Sequence, residues 1–151
     1  MKEQQEFTII INANPEKVWK VLWDDKTYPQ WTAIFSEGSY AKTDWKEGSK
    51  VLFLTTDGRG MVSRIKKKIT NEYMLFEHLG IIENNIESLE SKEAKEWAGA
   101  TEAYMLESVK NNKTQLTVKM DVVEGYKDFF LNTWPKAMSK IKELTEKKNL
   151  E

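Results

Sequence analysis

The residues whose types suggest chemistry are few: His78, which is the only histidine, its neighbour Glu77, and the nearby pair Glu102 and Tyr104. If both stretches are strands, alternation decides who can meet whom. Glu77 and His78 are adjacent and point to opposite faces, so they form no dyad. Glu102 and Tyr104 are two apart and share a face. On an inner face they would set a carboxylate and a phenol in an apolar pocket, the makings of a general acid. The expected arrangement is plainer: Glu102 turned outward beside a packed Tyr104, and His78 satisfied by structural hydrogen bonds. No residue is assigned a catalytic role. One histidine without cysteine is a poor start for a zinc site, which draws on several such ligands. No Gly-rich phosphate loop, helical carboxylate pair or Ser-His-Asp set is present, so neither a metal nor a cofactor is expected.

The aromatic and methionine residues are more informative. Six tryptophans are more than a core of this size needs. Trp31, Phe53, Met61, Phe76, Tyr104, Met120, Phe130, Trp134 and Met138 are the candidates to surround a cavity. Pattern alone does not separate a lined cavity from a solid core. Methionine suits an adaptable wall, with three rotatable bonds and a polarizable sulfur.

The elements that must position these residues follow from periodicity. Residues 125–147 carry Tyr126, Phe130, Trp134, Ala137, Ile141 and Leu144 at spacings of three and four, one apolar stripe of a long helix. Pro135 lies inside it, and a bend is expected near Leu131–Pro135. Such a helix needs a broad apolar partner, and the chain before it supplies one. Residues 7–12 read as a strand. Asn14-Pro15 reads as a helix cap followed by proline in the first turn, with Val18, Trp19, Val21 and Leu22 as the apolar face. Asp24 or Asp25 would cap a second short helix, with Pro29 and Trp31 near its end.

Strands are expected over residues 36–42, 50–56, 60–69, 72–79, 98–109 and 114–122. Asp57-Gly58 and Asn111-Asn112 mark hairpin turns. In 60–69, Met61, Ser63, Ile65 and Ile69 would share one face. In 72–79 both faces carry apolar residues, and the inner one stays open. In 114–122, Leu116, Val118, Met120 and Val122 point inward and Lys119 outward. The acidic stretch from Glu83 to Glu96 breaks the rhythm and reads as a long loop with at most one helical turn. The order β, α, α, a run of strands, α implies an antiparallel meander with helices on one face.

At 151 residues and a formal net charge of −1, the chain fits one domain with a proper core and no basic face for nucleic acid. The clusters Lys66-Lys67-Lys68 and Lys147-Lys148 have no interleaved aromatics and read as solvated surface. The polar start Met1-Lys2-Glu3-Gln4-Gln5-Glu6 has no signal-peptide apolar core, and no run is long enough for a membrane span. A cytoplasmic protein is expected.

Four segments together carry a resemblance. Asn14-Pro15-Glu16-Lys17-Val18-Trp19-Lys20-Val21-Leu22, followed by Tyr28-Pro29-Gln30-Trp31, resembles the N-terminal signature of the START-like, or SRPBCC, superfamily. Trp45-Lys46-Glu47-Gly48-Ser49-Lys50-Val51, Gly58-Arg59-Gly60, and Asp128-Phe129-Phe130 with Trp134-Pro135-Lys136-Ala137 resemble one family within it. That family is named after the C-terminal domain of the activator of the ninety-kilodalton heat-shock chaperone. The resemblance covers nearly the whole chain. It implies an α+β helix-grip fold, as in birch-pollen allergen: a curved antiparallel sheet of about six or seven strands around a long C-terminal helix, in a single domain, residues 1–151. It implies a cavity between sheet and helix, and tips the nine aromatic and methionine residues toward lining it. The expected partner is a small apolar molecule, lipid-like or aromatic. Two other readings stay open: a protein-interaction module with a chaperone partner, and a cyclase- or hydrolase-type enzyme using Glu102 with Tyr104, or His78.

Overall fold

The computed structural model describes residues 2–147; Met1 and Lys148, named above, lie outside them. The first strand, β1 (Lys2–Ile11), is longer than its β-branched part. In α1 (Pro15–Trp23) the Asn14 side chain accepts from the Lys17 N–H at 3.0 Å, and Pro15 occupies the first turn, as their order implies. The second helix differs from expectation. Asp24 closes α1, and α2 (Tyr28–Thr32) begins after Thr27, with Pro29 in its first turn rather than near its end. The Thr27 hydroxyl donates instead to the Val21 carbonyl at 2.6 Å, tying the two helices.

The remaining strands among the described residues are β2 (Tyr40–Lys42), β3 (Lys50–Leu54), β4 (Gly60–Ile69), β5 (Tyr73–Glu83), β6 (Ile86–Ser88), β7 (Thr101–Val109) and β8 (Lys113–Val123). All pairings are antiparallel: seven strands follow the order β1-β8-β7-β5-β4-β3-β2, and β6 pairs with β5 off that path. The strand expected over 36–42 shrinks to its last three residues, and β7 starts three residues later than expected. On β8 the expected register holds: Leu116, Val118, Met120 and Val122 are buried and Lys119 reaches outward to Glu6. On β4 it holds only in part. An extra residue bulges at Lys66, so that Ile65 faces Phe76 while Lys67 faces Leu75. A bulge inverts the faces beyond it, and Ile69 ends exposed.

The stretch expected to be a loop is the largest correction. Asn84 and Asn85, both at positive φ (51° and 64°), turn β5 into β6. Asn tolerates that conformation, and two such residues make the tight hairpin turn that matches strand twist. Gly80 makes room for the returning chain: a Cβ there would stand 2.3 Å from the Ser88 carbonyl oxygen. Ser91 then caps α3 (Lys92–Trp97) by accepting from the Ala94 N–H at 3.1 Å. Ala94, Trp97 and Ala100 bury a second, smaller apolar cluster against Ile81.

A 3-10 turn, Glu124–Tyr126, leads into α4 (Lys127–Glu146), which runs on through Pro135. The missing proline donor is tolerated in a helix held by its packing. Trp134, Ala137, Met138 and Ile141 join Ile11, Val18, Leu22, Leu116 and Val118 in the main core. Full burial of each Val, Leu, Ile or Met side chain among them stabilises the fold by about 1.5–3 kcal/mol. No helix among the described residues is long and apolar enough to cross a membrane.

Candidate functional site

A cavity of about 360 Å³ lies between the middle of the sheet, α2, α3 and the first turns of α4. Its inner wall comes from alternation on the central strands. On β5, Met74, Phe76 and His78 turn inward, which answers the face the sequence left open. Between His78 and Ile81 the pairing slips by one residue: Ser63 faces His78 while Val62 faces Gly80. The slip lets His78 and Ile81, three apart, both reach the cavity. On β7, Glu102 and Tyr104 point the same way, Glu102 standing between Phe76 of β5 and Met120 of β8.

Glu102 therefore faces inward, against the expectation that it would face out. Its side chain keeps 19 % exposure, all that remains at the floor of the cavity. The Tyr104 hydroxyl donates to Glu102 Oε2. His78 Nε2 stands 3.5 Å from Glu102 Oε1, and His78 Nδ1 is 2.6 Å from the Ser63 hydroxyl. A carboxylate only accepts, so the tautomer that suits it carries its proton on Nε2 and accepts a hydrogen bond from the Ser63 hydroxyl at Nδ1. Ser63 is fully buried behind the histidine, where it orients the ring and is shielded from anything in the cavity. Glu77, on the other face, pairs with Arg64 at 2.7 Å.

Burial, then the charge of Glu102 and its hydrogen bond, hold the Tyr104 phenol well above its ordinary range. Burial first and the Glu102 charge second push the Tyr28 phenol up as well. Both phenols are thus donors at neutral pH. The polar group that an enzyme reading would require inside the pocket is present.

Of the nine residues singled out by sequence, Trp31, Phe53 and Met61 line the cavity from α2, β3 and β4. Tyr104 and Met120 line its floor, and Phe130 and Trp134 its helical side. Phe76 and Met138 do not. Phe76 is packed beneath Trp23 and Phe53, ring centroids 5.4 and 5.1 Å away, and Met138 is sealed in the core farther along α4. The Trp134 indole donates to the Met120 sulfur at 2.9 Å, and the Phe35 ring lies 4.8 Å from it, edge on. His78, held open as a polar group of the pocket, lines it too, and Tyr28, Phe35 and Trp97 line it and were missed as a set. Their signal was available only as single aromatics beside turns.

The mouth is rimmed by Tyr40, Arg59, Tyr126 and Phe129, all at least partly in solvent. Arg59 is turned back on Asp57, Nε to Oδ2 3.3 Å, and the Tyr126 hydroxyl donates to Glu93 at 3.0 Å. The Gly58 carbonyl accepts from the Asn85 N–H at 2.9 Å, joining the β3–β4 turn to the β5–β6 turn at this rim. Among the described residues no group of three or more His, Cys, Asp or Glu side chains is placed to hold a metal ion.

Comparison with solved structures places the fold. The Aha1 dimer from Colwellia psychrerythraea superposes with a TM-score of 0.73 at 19 % identity, over 96 % of this chain and 97 % of that one. Protein MLL2253 from Mesorhizobium loti gives 0.70 at 15 % identity, over 98 % and 100 %. DynU16, from the dynemicin biosynthetic locus, gives 0.62 at 14 % identity, over 95 % of this chain and 47 % of that one. The chain has the START-like helix-grip fold that its sequence resemblance implied. No family model and no curated protein matches it.

Proposed function

We propose that the protein binds a small, largely apolar molecule in the cavity between the curved sheet and the first half of α4. The observation that carries this reading is the cavity itself. Protein interiors pack to crystal density, yet a space of about 360 Å³ stands here among aromatic walls. Volume and lining match those of small-molecule sites. Trp31, Phe53, Phe130 and Trp134 supply apolar surface, and Glu102 with its donors supplies the few polar groups that fix orientation.

Native mass spectrometry of protein purified from its own host, and thermal scanning against a panel of apolar compounds, test the reading. A ligand that binds only the folded state stabilises it by about 2.7 kcal/mol at a hundredfold excess over its Kd. For a domain of this size that raises Tm by roughly 5–11 °C. Amide shifts should concentrate in residues 126–134 and the facing strands. A charged residue in place of Trp134 should abolish the Tm shift in protein that still folds. No co-purifying molecule and no shift across the panel would defeat the reading.

A second reading, a protein-interaction module with the chaperone partner that the family resemblance implies, is favoured by one feature. Ile34, Tyr126, Phe129 and Leu131 expose apolar surface beside the mouth. Amide shifts at Ile34 and Leu131 or at the outer positions Lys136, Ser139 and Lys140, with the cavity floor around Glu102 and Tyr104 silent, would replace the first reading with this one.

A further inference from the structure

We infer that the molecule taken by this cavity carries a protonated amine, held by Glu102. The inference rests on the cavity reading above and adds the chemical class of its occupant. Three carboxylates line the space, Glu83, Glu93 and Glu102, against one guanidinium, Arg59. That guanidinium sits at the mouth and is engaged by Asp57. No lysine lines the cavity. The field inside is therefore negative, and it is least screened at the floor, where apolar walls surround Glu102.

Glu102 has accepting capacity to spare. Its two oxygens offer about four lone-pair positions. Tyr104 occupies one on Oε2, and His78 Nε2 stands off Oε1 at 3.5 Å, long for a hydrogen bond. Together they orient the carboxylate without saturating it, and its remaining lone pairs open into an apolar setting, where an unmet acceptor is costly. A bound ammonium supplies the missing donors and a charge opposite to the carboxylate's, as a charge-assisted hydrogen bond. The surrounding rings add to this. Trp31, Tyr104 and Trp134 have centroids 6.0–6.3 Å from one another, and aromatic faces attract cations in desolvated sites. A fatty acid or other carboxylate would be repelled by the same field.

Three matched probes test this: 2-naphthylethylamine, 2-naphthylethanol and 2-naphthylacetate, titrated by calorimetry at pH 7 into the intact protein. The amine should bind at least tenfold more tightly than the alcohol, and the acid most weakly. In E102Q the amine should fall to the level of the alcohol, whose own affinity stays within about threefold. In E93Q the amine preference should drop by less than threefold, because Glu93 lies at the mouth. Equal binding of amine and alcohol by the native protein would overturn the inference and leave the cavity reading standing. Amine preference that survives in E102Q would overturn the role of Glu102. Binding of none of the three would defeat both. The native amine-to-alcohol ratio needs no variant and decides the amine preference even if E102Q fails to fold; E102D, which keeps the charge on a shorter stem, should then weaken the amine and not the alcohol if Glu102 holds it.

Discussion

Along its second half, α4 presents Ala137, Met138, Ile141 and Thr145 to the core, none more than 3 % exposed. Along its first half, Phe129, Phe130 and Trp134 stand over open space, and Phe129 and Leu131 reach solvent. The same helix meets the same layer in two ways, and the side-chain shapes account for it. Small, branched and flexible groups fill irregular gaps. Rigid rings meet edge to face at about 5–6 Å and leave angular space between them. The floor differs as well. Under the packed half lie Leu116 and Val118; under the open half lie Glu102 and His78, whose hydrogen-bonding capacity resists closure by apolar groups.

The sharpest way to break this contrast is to cut into each half. Ile141→Ala should destabilise the protein by about 2–5 kcal/mol, read by urea unfolding, because the void it leaves has no route to collapse. The open half should respond next, through its phenols. The folded state holds Tyr104 and Tyr28 protonated above the ordinary tyrosine value of 10.0. Their stabilisation is whole below pH 10 and is lost as pH rises beyond it, because the unfolded chain then ionises first. The loss should approach about 1.4 kcal/mol per pH unit for each phenol, and Tyr104→Phe should lessen it. Unfolding curves at pH 9 and pH 11 give the measurement.

Phe129→Ala, at the mouth, should change stability by only about 0.5 kcal/mol. A cost like that of Ile141→Ala would mean that the open half is not open. Smallest of all, Lys142→Ala removes the ion pair with Glu146 on the outer side of the packed half. It should cost about 0.3 kcal/mol, and less in high salt.

The packed half was legible in the sequence because a filled interface repeats at the helix period and at the strand period. Leu116 and Val118 on one side and Ala137 and Ile141 on the other are read as inward from spacing alone. The open half was legible as a set of aromatics and no further. Whether Glu102 faces in or out depends on which face of β7 meets the helix, and alternation gives the two faces without ranking them. The bulges at Lys66 and in β5 move Ile69 out and bring Ile81 in, and neither leaves a period to read. The hairpin into β6 did leave a sign. Asn84-Asn85 carries the same turn chemistry as Asn111-Asn112, which was recognised, but it is followed by a three-residue strand too short to show alternation.

The sheet order has a consequence for how the chain comes to be folded at all. β1 is an edge strand, and its one strand partner is β8, Lys2 opposite Val123 and Ile11 opposite Thr114. Its other neighbour, α4, comes later still: the Asn12 N–H donates to Glu146 at 2.7 Å, at the far end of that helix. On a ribosome adding about 5–20 residues per second, the first strand waits on the order of 5–20 s for a partner. Through that interval Phe7, Ile9, Ile10 and Ile11 form an unpaired apolar ribbon, the kind of segment that seeks other chains. Lys2, Glu3 and Glu6 precede the ribbon, in the flanking position that gatekeeper charges take. Charges so placed are modest in value to the finished protein, and they are of the kind that disfavours pairing of an exposed strand with another chain.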